Sequence, residues 1–197
     1  MRRHKESKRK KVIQIFLGLF ITFIMVFSVF ELYVSNQGSQ ASLQYGKFRF
    51  TVDADNRKYL TVVNKTTYAF YSFPTDAAQV NVTGDFADTL RSAEVIIYTL
   101  DPRAQNLEYV EQARYELMSM IAQSSVPAVT QNSSLYRDAL ISSCADARQY
   151  APVVFFNVSD NLSIIREGYC IILNGNATDF YVLQDRLLYG YVGIIPE

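Results

Sequence analysis

One stretch constrains this chain more than any other. Residues 12–30 read VIQIFLGLFITFIMVFSVF, nineteen residues without a charge. At about 1.5 Å of rise per residue, a helix of that length spans roughly 28 Å, close to the hydrocarbon thickness of a bilayer. Gln14 and Ser28 fall near its ends. Glu31 and Tyr33 follow at the far interface, where a charge and an amphipathic ring are tolerated. Seven Lys/Arg precede the run within residues 1–11, against Glu6 alone, and the next cation is Lys47. That asymmetry puts the N-terminus in the cytoplasm and the rest outside. The expected organisation is a basic cytoplasmic tail (1–11), a transmembrane helix (12–34) with the lipid bilayer as its partner, a polar tether (35–43) and an extracytoplasmic domain (44–197). Two alternatives compete. Ser39-Gln40-Ala41 has the form of a signal-peptide cleavage site, but the apolar run exceeds the usual h-region. A pilin-type leader would place a small residue between the basic block and the apolar run, whereas Lys11 abuts Val12. The basic tail reads as a topology signal, and the same cations also suit anionic lipid.

Two further patterns agree with an outer location. Six N-x-S/T sequons lie beyond the apolar run, at Asn64, Asn81, Asn132, Asn157, Asn161 and Asn176. With ten Asn in that part, chance gives roughly one or two, so the excess points to N-glycosylation. The competing explanation is that Asn, Ser and Thr cluster in turns, and Asn176 is also placed to cap a helix. The only cysteines, Cys144 and Cys170, are both on the outer side. A structural disulfide is expected, since a reactive thiol needs a base or cation beside it and no histidine is at hand.

The outer part alternates between two kinds of pattern. Residues 47–53 (KFRFTVD) alternate apolar and polar, and residues 59–63 and 67–73 are β-rich with a turn at Asn64-Lys65, which predicts a small antiparallel meander. A short helix follows within 84–93. Residues 94–100 (EVIIYTL) form a continuous apolar run typical of an interior strand. Leu107, Val110, Ala113, Leu117 and Ile121 fall at helical spacing. Further strands are expected at 126–129 and 153–156, a hairpin over 162–173, and a last helix with Phe180, Leu183, Leu187 and Tyr191 on its buried face. Strands alternating with helices imply an α/β class with a mixed, partly parallel sheet.

Composition excludes several chemistries. Beyond Ser35 there are 12 basic and 17 acidic residues, a net charge of −5, so nothing favours nucleic acid as a partner. The one histidine, His4, is in the basic tail, which leaves the outer domain without a Ser-His-Asp triad, a Cys-His pair or a His-ligated metal. No glycine-rich phosphate loop occurs, so no cofactor is expected. Asp53 and Asp55 read as turn residues; a calcium loop would need a Gly and a late Glu that are missing. Asp101 is the one weak catalytic candidate, because it ends the central strand, where open α/β sheets place their ligands. Asp185-Arg186 reads as an ion pair.

Several segments set side by side resemble small membrane-anchored proteins of DPANN-group archaea: VIIYTLDP (95–102), YVEQARYEL (109–117), SSCADA (142–147), APVVFF (151–156), GYCIIL (168–173) and DRLLYGYVGI (185–194). The resemblance implies an archaeal surface, where N-glycosylation occurs, and a cysteine pair in matching segments. It carries over no catalytic residue.

These patterns lead to three expectations. The first is an anchored envelope module that binds a surface protein or scaffolds a complex. The second is an anchored hydrolase or transferase acting on glycans, which needs two carboxylates about 5–10 Å apart in a cleft. The third is a pilin-like subunit.

Overall fold

The computed structural model describes residues 17–28, 42–53 and 55–196. The chain divides into two units between Ala41 and Ser42. In the first, residues 17–28 form a helix, α1, with every residue exposed. Twelve residues amount to roughly 18 Å. Among the described residues, no helix is long and apolar enough to cross a membrane. The remainder of the expected span, the basic tail and residues 35–41 of the tether lie outside the described residues.

The second unit holds two sheets. Strands β1 (Ser42–Tyr45), β2 (Phe48–Asp53), β3 (Lys58–Val63) and β4 (Thr66–Phe70) form the expected antiparallel meander in sequence order. β1 takes in Ser42 and Leu43, the last two residues of the expected tether. The segment SLQY is polar enough to pass for linker, and pairing with β2 makes it a strand. Asn64 and Lys65 both have positive φ, 51° and 69°, in the two-residue loop that joins β3 to β4. A primed hairpin turn of this kind matches the twist of its strands, and Asn tolerates the left-handed region.

The larger sheet has seven strands in the order β5-β10-β11-β9-β6-β7-β8. These are β5 (Asn81–Thr83), β6 (Val95–Leu100), β7 (Ser124–Val129), β8 (Leu140–Ile141), β9 (Val153–Val158), β10 (Ser163–Glu167) and β11 (Cys170–Gly175). All neighbours are parallel except the β10–β11 hairpin, so the sheet is mixed and mostly parallel. The helices are α2 (Pro74–Ala77), α3 (Ala87–Arg91), α4 (Leu107–Met120) and α5 (Phe180–Val192).

Strand period sets the core. Tyr98 and Leu100 of β6 stand beside Val154 and Phe156 of β9, which stand beside Ile171 and Leu173 of β11. All six are buried on the face covered by α4 and α5. Val110, Ala113 and Leu117 supply the matching stripe of α4. α5 is buried almost all round because the small sheet covers its other side: Tyr189 stacks on Phe70 at 3.9 Å and meets Phe50 edge-on at 6.2 Å. Of the expected buried stripe on α5, Phe180, Leu183 and Leu187 are buried and Tyr191 is half-buried. A Cβ at Gly175, where β11 meets the start of α5, would come within 2.8 Å of both Asp179 and Leu183, so only glycine fits that approach.

Among the described residues, no α-helix covers the opposite face of the large sheet. Residues 142–151 cross it instead. Thr99 Oγ1 donates to the Ser142 carbonyl at 2.7 Å, the Tyr150 carbonyl accepts from the amides of Glu94 and Val95, and Cys144 is bonded to Cys170 on β11. This strap is why Thr99, Val153 and Cys170 are buried on the face opposite α4 and α5.

Candidate functional site

The residues singled out from sequence do not converge. Asp101 is half-buried at the end of β6, as expected, but its carboxylate is held locally: Oδ1 accepts from the Arg103 amide at 2.9 Å and from Gln131 Nε2 at 2.9 Å. Asp53 accepts from the amides of Asp55 and Asn56 and from Asn56 Nδ2, an Asx turn whose side-chain hydrogen bond is the main reason its pKa is lowered. Among the described residues, no group of three or more His, Cys, Asp or Glu is arranged to hold a metal. Cys144 and Cys170 form the expected disulfide, with Cα atoms 5.2 Å apart.

A different constellation forms where β3 and β4 meet α4 and α5. Lys58 leaves β3 and places Nζ 3.1 Å from Glu116 Oε2, with the ammonium 4.2 Å from the centre of the Tyr71 ring. The Tyr71 hydroxyl donates to Glu116 Oε1 at 2.6 Å, and Gln112 Nε2, one turn earlier on α4, donates to the same oxygen at 3.2 Å. The Tyr181 hydroxyl donates in turn to Gln112 Oε1 at 3.1 Å. Burial works against the charge on Lys58, but the Tyr71 oxygen and the Glu116 carboxylate outweigh it and hold its pKa above the ordinary value. Burial likewise opposes the Glu116 carboxylate, and the donors from Tyr71, Gln112 and Lys58 overcome it, so its pKa is lowered. Both charges are therefore favoured by hydrogen bonds within the protein.

Asp185 lies one residue beyond Gln184, which itself reaches Glu116 at 3.5 Å. It is fully buried in α5, and Oδ2 accepts the Ser72 amide at 2.6 Å. Burial pushes its pKa well up, and the amides of Ser72 and Tyr71 offset this only in part. The neighbouring Arg186 reaches the Pro196 carbonyl at 3.0 Å. The Asp-Arg dipeptide read from sequence as an ion pair thus sends its two side chains to separate main-chain partners. Tyr189, one helical turn after Asp185, donates to the Ser72 carbonyl at 2.7 Å. Together they hold the amide and the carbonyl of Ser72 in the connection after β4.

Glu116 and Asp185 have pKa values pushed in opposite directions, the pattern of an acid/base pair. Accessibility decides against that use: a carboxyl with no exposed surface cannot meet a substrate. A second network ties the loop before β8 to α4. Tyr136 donates to Glu111, whose other oxygen is 2.6 Å from Arg114 Nη2, and Arg114 Nη1 donates to the Ala128 carbonyl at 2.7 Å. Burial and the Glu111 carboxylate push the Tyr136 hydroxyl up to about 12.

The sequons are spread over the surface. Asn64, Asn81, Asn132, Asn161 and Asn176 are exposed. Asn157 is half-buried on β9 and donates Nδ2 to Asn174 Oδ1 at 2.7 Å. Asn176 closes a capping box with Asp179 ahead of α5, as its sequence context suggested.

The chain matches no known protein family, no curated protein and no solved structure.

Proposed function

We propose that the protein is a single-pass, membrane-anchored envelope module, with its N-terminus in the cytoplasm and its disulfide-bonded α/β domain displayed outside, where it binds or scaffolds another surface protein. The observation that carries this reading is α1. Its large apolar side chains, among them Leu17, Leu19, Ile21 and Met25, are 49–68% exposed and point to different sides of the helix. A helix apolar all round is stable in hydrocarbon and unfavourable in water. The neighbouring uncharged residues 12–16 and 29–30 extend the same pattern in sequence. A binding role is favoured because the polar clusters of the domain are consumed in holding it together. The exposed side of α4 meanwhile presents Tyr109 and Tyr115, the latter 74% exposed, and tyrosine is enriched in protein interfaces. The archaeal surface implied by the resemblance is a setting that suits this reading.

The test is fractionation of cells expressing the full chain with a tag at each end. The expected result is a carbonate-resistant membrane protein whose C-terminal tag is removed by external protease while the N-terminal tag is protected. A carbonate-soluble protein, or the reverse protection, overturns the reading.

A further inference from the structure

We propose that the solvent face of the β1–β4 sheet rests on the anionic headgroups of the membrane in which the chain is anchored. The inference rests on the anchored reading above and adds a second contact with the same membrane. Charge is divided unevenly in the domain. Residues 42–70 carry five cations, Lys47, Arg49, Arg57, Lys58 and Lys65, against Asp53 and Asp55, a net +3. Residues 71–197 carry seven Arg against fifteen acidic residues, a net −8. Every lysine of the domain is therefore in the small sheet.

Geometry separates the cations that are engaged from those that are available. Lys58 is held by Glu116, and Asp53 is held in the β2–β3 turn. Lys47, Arg49 and Lys65 are exposed, and among the described residues no carboxylate forms an ion pair with them. Lys47 and Arg49 line a shallow groove of about 490 Å³ with Thr51, Thr67, Leu60 and Val62. Val62 is 63% exposed on that floor. Cations beside hydroxyls, around uncovered aliphatic side chains, match a headgroup layer, which offers phosphates next to the edge of the hydrocarbon. Reach favours the membrane over any other anion. Seven residues, 35–41, separate the expected membrane helix from β1, and they extend at most about 25 Å. Each cation at an anionic surface raises occupancy roughly five-fold at low salt, so three suffice to favour the docked state. Asn64 sits on the β3–β4 turn beside Lys65, so the docked state requires that sequon to be bare.

The experiment reconstitutes the full chain, one copy per nanodisc, in phosphatidylcholine alone and in an equal mixture with phosphatidylglycerol. Acetylation rates of the lysine amines are then read by mass spectrometry. Lys47 and Lys65 are expected to react several-fold more slowly in the anionic discs. The slowing disappears at high salt and in the Lys47→Glu/Arg49→Glu variant, read there at Lys65. Equal rates in the two lipids overturn the docking, and so does equal slowing in both, which points to a contact within the protein. Failure of the chain to enter discs at all overturns the anchored reading, and the docking falls with it.

Discussion

At the scale of single residues, the two carboxylates beside Tyr71 and Ser72 give the domain opposite responses to pH. Glu116 has a lowered pKa, so its contribution is complete above its ordinary value of 4.5 and is lost as pH falls below it. Asp185 has a raised pKa. In the unfolded chain it releases its proton near 3.8, while in the folded domain it keeps the proton to higher pH. The folded state then binds more protons across that window, and stability falls as pH rises through it. Residues 42–197 contain no histidine. We expect the unfolding free energy, and with it the melting temperature, to fall as pH rises above the ordinary carboxyl value, the free energy by at most about 1.4 kcal/mol per pH unit. Asp185→Asn retains an acceptor for the Ser72 amide and removes the titration, so its melting temperature should be flatter over the same range. Parallel pH profiles of variant and parent would show that Asp185 is ionised in the fold.

At the scale of elements, the strap over residues 142–151 is what closes the face of the large sheet opposite α4 and α5, and the disulfide is its covalent fastening. A 26-residue separation between the linked cysteines corresponds to about 3 kcal/mol of restriction on the unfolded chain. The double replacement Cys144→Ala/Cys170→Ala should therefore lower the unfolding free energy by about that amount in denaturant titration. It should also speed amide exchange at Glu94 and Val95, which bond to the strap at Tyr150. Lost stability with unchanged exchange at those amides would mean that the strap stays in place without its bridge. The elements legible in the sequence are those with a strong period: the alternating β2, the apolar β6 and β9, the hairpin around Gly168, and the stripes of α4 and α5. The illegible ones are short or polar. β5 has three residues and β8 two, both at sheet edges, and β1 gains strand form only by pairing with β2. The Lys58–Glu116–Tyr71 cluster was hidden for another reason. Its members are 58 and 45 residues apart, so no local spacing announces them. Asp101 was legible as a strand end, but its engagement by Gln131, thirty residues on, was not.

At the scale of the whole molecule, six sequons that look alike in sequence occupy different environments, and that makes an outer location testable site by site. A glycan is joined through the Asn amide nitrogen, which must face solvent. Asn132 and Asn161 are exposed in loops, and Asn81 is exposed on the edge strand β5. Asn157 is the contrary case. Its amide nitrogen is spent on Asn174, which in turn donates to Ser163 at 3.2 Å, a polar ladder running across β9, β11 and β10. Attachment there would remove one rung and force a sugar onto a half-buried interior strand. Glycopeptide mass spectrometry of the native protein should therefore find sugar at Asn81, Asn132 or Asn161 and an unmodified Asn157. Occupancy at Asn157 would mean that the ladder does not form as described. All six sites bare, together with free thiols at Cys144 and Cys170, would remove the support for an outer domain, because the same compartment that attaches N-glycans is the one in which that disulfide persists.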